Sequence, residues 1–277
     1  MIPVFKLENG VNVEATGLGT FLINDGNEAE RCIIDAAGVG YRSFDTAMIY
    51  LNESGVGRGI RKCQVPREEL YVTTKLWNDS HGYENALKAF NASLKRLGLE
   101  YIDEYLIHWP GVDSQFIPTW KALEKLYNEG LVRVIGVCNF IKPLLEKLID
   151  NCEIKPLINQ VEMHPLFQPN DLVNYCQKNG ILVEAWRPIL WGKLEKEPVT
   201  NIAKKYNKTP VQVTLRWLYQ RNIRTLPKTS HKDRMKENID IFDFNLDKSD
   251  MAAINKMNTF VRTGESPDEF FSTDSFN

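Results

Sequence analysis

Of 277 residues only five are cysteine and four are histidine, and neither set is grouped. Cys32, Cys63, Cys138, Cys152 and Cys176 are odd in number, and none stands at metal-ligand spacing. That argues against a disulfide framework and for reduced thiols in a cytoplasmic protein. His81, His108, His164 and His231 form no ligand set readable from spacing, so no metal is expected. A basic excess is also missing: 34 Lys and Arg against 36 Asp and Glu leave a formal charge of −2, which argues against a nucleic-acid partner. No apolar run approaches a membrane span, and Met1 to Leu7 holds no apolar core of signal-peptide length, so neither a membrane partner nor export is expected. A glycine-rich phosphate loop is absent too, because Gly17-Leu18-Gly19-Thr20 lacks a third glycine and no clear helix start follows.

What is present is alternation. A hydrophobic fraction of 43% with 25% charged residues is that of an ordinary soluble globular chain. Val4 to Val13 reads as a hairpin turning at Asn9-Gly10. Short apolar runs follow near Glu14-Leu18 and at Arg42-Phe44, Leu70-Thr74, Ile102-Ile107, Val132-Val137, Leu157-Val161, Ile181-Ala185 and Ile223-Leu226. Between them, stretches such as Tyr83-Leu97, Pro118-Asn128, Lys142-Asp150, Pro169-Lys178 and Pro210-Tyr219 carry helical periodicity. About eight βα units over roughly 250 residues suit an α/β fold of the (β/α)8 TIM-barrel type. No linker or charge block interrupts the series, so a single domain over 1–277 is expected, with a hairpin at 1–14 and a polar, aromatic tail at 263–277 that folds over the barrel mouth or stays loose.

Four ionisable residues stand at or just past the ends of these runs: Asp45, Tyr50, Lys75 and His108. Strand ends are where a barrel gathers an active site. Each has a bland alternative. A strand-ending aspartate is often a helix cap, a loop tyrosine is usually packing, and a lone histidine is more often structural. Lys75 is less easily dismissed, because an ammonium leaving a buried strand needs water or a partner. Together a phenol, an ammonium, a carboxylate and an imidazole could deliver a proton to a carbonyl oxygen.

The motifs around these residues resemble the aldo-keto reductase superfamily. They are Thr-Lys-Leu-Trp at Lys75, Leu-Ile-His-Trp-Pro at His108, Gly136-Val137-Cys138-Asn139-Phe140, Asn159-Gln160-Val161-Glu162-Met163-His164-Pro165, and Leu226-Pro227-Lys228-Thr229-Ser230 with Arg234, Glu237 and Asn238. They stand in family order from about residue 40 to 240, and the length resembles the short microbial branch of 2,5-diketo-gluconate and glyoxal or methylglyoxal reductases. The resemblance implies a barrel that binds NADPH without a Rossmann fold and reduces aldehydes or ketones. Tyr50 would be the general acid, Lys75 would stabilise its phenolate, Asp45 would hold Lys75, and His108 would orient the carbonyl. Histidine at 108, where some relatives have glutamate, points to carbonyl rather than double-bond reduction.

The same resemblance assigns the cofactor contacts. Asn139 and Gln160 would meet the nicotinamide carboxamide, and Gly19 and Thr20 are counted among the contacts. Cys138 stands where serine is usual; a cofactor contact and a merely buried strand-end thiol are equally open. Trp186 replaces a stacking tyrosine, and an indole can stack as well. Arg187 replaces a serine; it pairs with cofactor phosphate or turns away to the surface. Lys228, Thr229, Ser230 and Arg234 would take the 2′-phosphate of NADPH, with Glu237 and Asn238 near the adenine. Trp77 and Trp109, with His108, are the substrate-side candidates; Met48, Ile49, Leu190 and Trp191 are weaker ones. The alternatives are a non-catalytic nicotinamide-binding regulator resembling potassium-channel β subunits and a metal hydrolase on the same scaffold. A monomer is expected by analogy.

Overall fold

The structure, a computed structural model, describes residues 2–111 and 115–267. Two antiparallel strands, β1 (Val4–Lys6) and β2 (Asn12–Glu14), form the expected hairpin, with Phe5 opposite Val13. Gly10 sits in its turn at φ 85°, a left-handed conformation that only glycine takes without steric cost.

Eight strands follow: β3 (Leu18–Gly19), β4 (Ser43–Asp45), β5 (Tyr71–Leu76), β6 (Ile102–Ile107), β7 (Val132–Cys138), β8 (Ile158–Glu162), β9 (Leu182–Trp186) and β10 (Ile223–Thr225). Each pairs in parallel with its successor. The two outer edges then meet. The amide of Gly17 donates to the carbonyl of Thr225 (3.0 Å) and that of Gly19 to Pro227 (3.1 Å), so the sheet closes into a barrel with no unpaired edge.

Parallel neighbours need long crossovers, and helices supply them. Among the described residues these are α1 (Asn27–Val39), α2 (Glu53–Lys62), α3 (Tyr83–Leu97), α4 (Phe116–Asn128), α5 (Lys142–Ile149) and α6 (Asn170–Lys178). A pair, α7 (Val199–Tyr206) and α8 (Pro210–Gln220), leads to β10, and α9 (Lys232–Ile239) and α10 (Lys248–Asn255) follow it. The sequence explains their phase. In α3 the buried residues Ala86, Ala89, Phe90, Ser93 and Leu97 recur on one face, Lys95 and Arg96 stand in the last turn, and Gly98 ends the helix in the left-handed region. Thr209 opens α8 with a capping box to Gln212, and Pro210 takes the first helical position.

Apolar residues fill two spaces. The larger lies between sheet and helices, as with Phe44, Tyr105, Trp120 and Trp217. The smaller lies inside the barrel, where Leu7 and Val13 of the hairpin region meet Tyr71, Leu106, Val134, Leu157 and Ile158. The hairpin therefore stoppers the end of the barrel where the strands begin. The other end is left to the site.

Candidate active site

Strand register places the first three functional groups. Asp45 ends β4 beside Thr73 of β5, so Lys75, two residues further along β5, points into the barrel from the same side. Lys75 has no exposed surface. Its Nζ donates to Asp45 Oδ1 (2.6 Å) and to the carbonyl of Thr46 (2.9 Å). Burial works against the ammonium, but the charge of Asp45 and the neighbouring Tyr50 outweigh it and hold Lys75 above its ordinary range.

Tyr50 comes from the short turn after β4, Met48–Tyr50, which Leu51 ends in a left-handed conformation. The Lys75 ammonium lies 5.0 Å from the centre of its ring. Burial pushes the phenol up to about 12, while Lys75 pulls the other way by charge and hydrogen bonding. His108, just past β6, presents its ring edge-on to Tyr50 with centroids 5.6 Å apart. Burial, with the Lys75 charge nearby, drives its imidazole well below the usual range, so it is neutral. Its Nδ1 is buried and meets no hydrogen-bond partner among the described residues.

These groups form the floor of a cavity of about 320 Å³ lined by Asp45, Tyr50 and His108 together with Gly19, Trp109, Asn139, Gln160, Trp186, Arg187 and Lys228. These ten, with Trp191, are residues singled out in the sequence that line one cavity. Asn139 is braced on both sides of its amide: Nδ2 donates to the carbonyl of His108 (3.0 Å) and Oδ1 accepts from Trp186 Nε1 (2.9 Å). Arg187 sits at the mouth, half-buried, with its guanidinium 4.4 Å from the Trp191 ring centre and 5.2 Å from that of Trp186. It does not turn away to the surface.

Three of the singled-out residues stand outside the cavity lining. Trp77 carries no exposed surface and does not line the cavity; its ring packs edge-on against His108, with centroids 5.2 Å apart. Cys138 is buried beside the inner apolar cluster and within reach of the Lys75 and Asp45 charges, and burial raises its thiol well above its usual range. Thr20 is buried, its hydroxyl donating to the carbonyl of Asp45 (2.9 Å), so it braces the strand end.

The start of the tail forms a strap at the barrel mouth. Thr263, Gly264 and Glu265 close one side of the cavity. The amide and hydroxyl of Thr263 both donate to Glu162 Oε1, at 2.7 and 2.5 Å, and Arg187 Nη1 donates to the carbonyl of Thr263 (2.7 Å). At Gly264 a Cβ would stand 2.4 Å from the Trp186 ring. Glu162, which anchors the strap, belongs to the 159–165 motif. Phe270, Phe271 and Phe276 lie outside the described residues.

The remaining candidates sit on the rim after β10. Lys228 and Arg234 are exposed, and neither has a carboxylate partner among the described residues. Thr229 Oγ1 accepts from the amide of His231, and Ser230 gives its carbonyl to Cys32 Sγ. Glu237 is engaged by the Thr209 hydroxyl, whereas Nδ2 of the buried Asn238 has no partner. Two unpaired cations at the start of α9, an orphaned amide donor and an indole at the cavity wall fit a dinucleotide carrying an extra phosphate. Among the described residues, no three His, Cys, Asp or Glu side chains converge as a metal site would need.

Comparison with known proteins agrees with this geometry. The sequence profile of the Aldo/keto reductase family matches residues 16–259. The chain is 50% identical over 265 residues to glyoxal reductase of Bacillus subtilis, covering 95% of this chain and 96% of that protein. Its fold is similar to that of MGS-M4, an aldo-keto reductase from a Medee basin deep-sea metagenome library, with a TM-score of 0.93 and 44% identity over 97% of this chain and 99% of that one. A Bombyx mori aldo-keto reductase solved in complex with NADP is similar at a TM-score of 0.89 and 35% identity, covering 97% and 96% of the two chains.

Proposed function

Because this chain belongs to the aldo-keto reductase family, we propose that it reduces small aldehydes and ketones, α-dicarbonyls foremost, with Tyr50 as the proton donor. It is an NADP(H)-dependent oxidoreductase acting on carbonyl groups. When bound, the cofactor supplies a hydride from its nicotinamide ring.

The observation that carries the assignment of roles is the buried Lys75–Asp45 pair set against Tyr50 on the cavity floor. A phenol at about 12 keeps its proton at neutral pH and is a reluctant donor. The Lys75 charge favours the phenolate that forms as the proton leaves, and Asp45 keeps that charge in place. His108, neutral and at the wall, is a hydrogen-bond donor for the substrate oxygen while negative charge builds there. Trp77, packed behind His108, acts by fixing that ring.

Arg187 and the pair Lys228 and Arg234 are the phosphate-binding cations, at the mouth and on the rim respectively. Gln160, Asn139 and Trp186 hold the nicotinamide end. The cavity must also take that end, and the B. subtilis relative is named for a small dicarbonyl. Among the described residues no helix is long and apolar enough to cross a membrane. We place the protein in the cytoplasm as a one-domain monomer; no observation favours the regulatory or hydrolytic alternative.

The test is NADPH consumption, followed by absorbance, against glyoxal, methylglyoxal, simple aldehydes, keto-sugars and larger ketones. Turnover of the small dicarbonyls is expected. No turnover with any of them would overturn the assignment.

A further inference from the structure

Inside the barrel, between the apolar plug and the reaction site, lies a second group of charges that the mechanism does not use. Arg224 of β10 has no exposed surface. Its guanidinium donates to Glu184 Oε1 and to the Ser43 hydroxyl, and its Nε donates to the carbonyl of Glu14 (2.9 Å). Glu104 approaches the same guanidinium at 3.5 Å, and its Oε2 accepts from the Tyr71 hydroxyl (2.7 Å). Burial, with the charge of Glu184 beside it, pushes Glu104 well above the usual carboxylate range. A buried ion pair contributes little net stability compared with apolar packing of the same volume, so its presence here asks for another reason.

Glu184 has a second oxygen. Its Oε2 accepts from Gln160 Nε2 at 2.9 Å, and that same nitrogen donates to Asp45 Oδ2 at 3.0 Å. One amide group therefore gives both its hydrogens to two carboxylates. Turned over, the amide would set its oxygen against both of them, so the orientation is imposed by charge rather than by shape. With Nε2 held, Oε1 of Gln160 meets no donor among the described residues and is left to the cavity that Gln160 lines.

We infer that Glu184, anchored by Arg224, is a positioning residue that locks the Gln160 amide. The lock braces Asp45 from the side opposite Lys75 and presents Gln160 Oε1 to the cavity as a fixed acceptor for the amide of the nicotinamide carboxamide. This rests on the cofactor assignment above. Without Glu184, Gln160 keeps one carboxylate partner and can swing about it, so both the brace and the acceptor are loosened.

The double variant Glu184→Leu/Arg224→Leu removes both charges together and leaves Glu104 with its hydrogen bond from Tyr71. Binding of NADP+ and of its 3-acetylpyridine analogue, which lacks the amide donor, would be read by quenching of tryptophan fluorescence. In the wild type the analogue should bind about ten-fold more weakly, the size of one lost hydrogen bond. In the double variant NADP+ should weaken about ten-fold and the gap between the two ligands should close. Glu184→Asp keeps the buried charge but shortens its reach, and should narrow the gap part of the way even if the double variant does not fold. A folded variant of either kind that keeps the full wild-type gap would overturn the inference. Wild-type protein that binds NADP+ with that gap but turns over no carbonyl would overturn the reductase assignment instead and leave this one standing.

Discussion

The floor of the cavity and its mouth are built on different principles. On the floor, Asp45, Lys75 and His108 come from strands or strand ends, have almost no exposed surface, and are held by register and by one another. At the mouth, Arg187, Leu190 and Trp191 all lie in the left-handed region, at φ 51°, 47° and 55°. Trp191 is exposed, and the facing strap hangs on one carboxylate, Glu162. Non-glycine residues in that conformation persist only where surrounding contacts hold them. Here the contacts are the stacked guanidinium of Arg187 and the strap. The charges that support the proton donor are thus mounted on the strand frame, Tyr50 itself on a short turn packed against them, and ligand selection on loops that can differ without disturbing that frame.

That division can be broken most sharply at the floor. Tyr50→Phe should lower kcat by about 10²–10⁴-fold, the range for a general acid, with NADP+ binding unchanged; comparable losses in both quantities would mean that floor and mouth are not separable. Next in size, Lys228→Ala with Arg234→Ala should raise the KM for NADPH by about 10–100-fold, from lost charge-assisted hydrogen bonds, and leave NADH nearly untouched. Equal effects on both cofactors would remove the phosphate assignment.

Glu162→Gln tests the strap and should cost about 1–3 kcal/mol by thermal or chemical unfolding, with kcat little changed. Burial opposes the Glu162 carboxylate, but His164 and Thr263 hydrogen-bond to it and bring it below the ordinary carboxylate value of 4.5. Its stabilising share is therefore complete above pH 4.5 and lost as pH falls through the lowered value. Trp186 fluorescence should report strap release in that acid window in the wild type, and the variant should show no such step. The smallest effect belongs to Trp191→Ala, a few-fold rise in substrate KM from one lost aromatic contact. A large drop in kcat there would show that the mouth also shapes the chemistry.

The strand series was legible because β5 to β9 are short, mostly buried runs rich in apolar residues between helical stretches, and the four floor residues because ionisable groups stand out at or just past strand ends. Helix α2 was obscure for a physical reason. Glu-Ser-Gly-Val-Gly-Arg-Gly is poor in helix propensity, yet each glycine faces a neighbour: a Cβ on Gly57 would lie 1.9 Å from the carbonyl oxygen of Leu97. Close packing overrides local preference there. The Arg224 cluster leaves a trace in the sequence. Glu104, Glu184 and Arg224 interrupt strands that are otherwise buried on both faces, where a charge must find a partner across the barrel. Glu162 and the strap were hidden because their pairing spans 101 residues, which no spacing rule reaches.

The hairpin at the far end has a kinetic corollary. By sealing the side where the strands begin, with Leu7 and Val13 seated among Tyr71, Leu157 and Ile158, it makes the barrel a cup rather than a pipe. Two ligands that share one doorway cannot overtake each other. Arrival and departure should follow a fixed queue, visible as ordered rather than random product-inhibition patterns in steady-state kinetics.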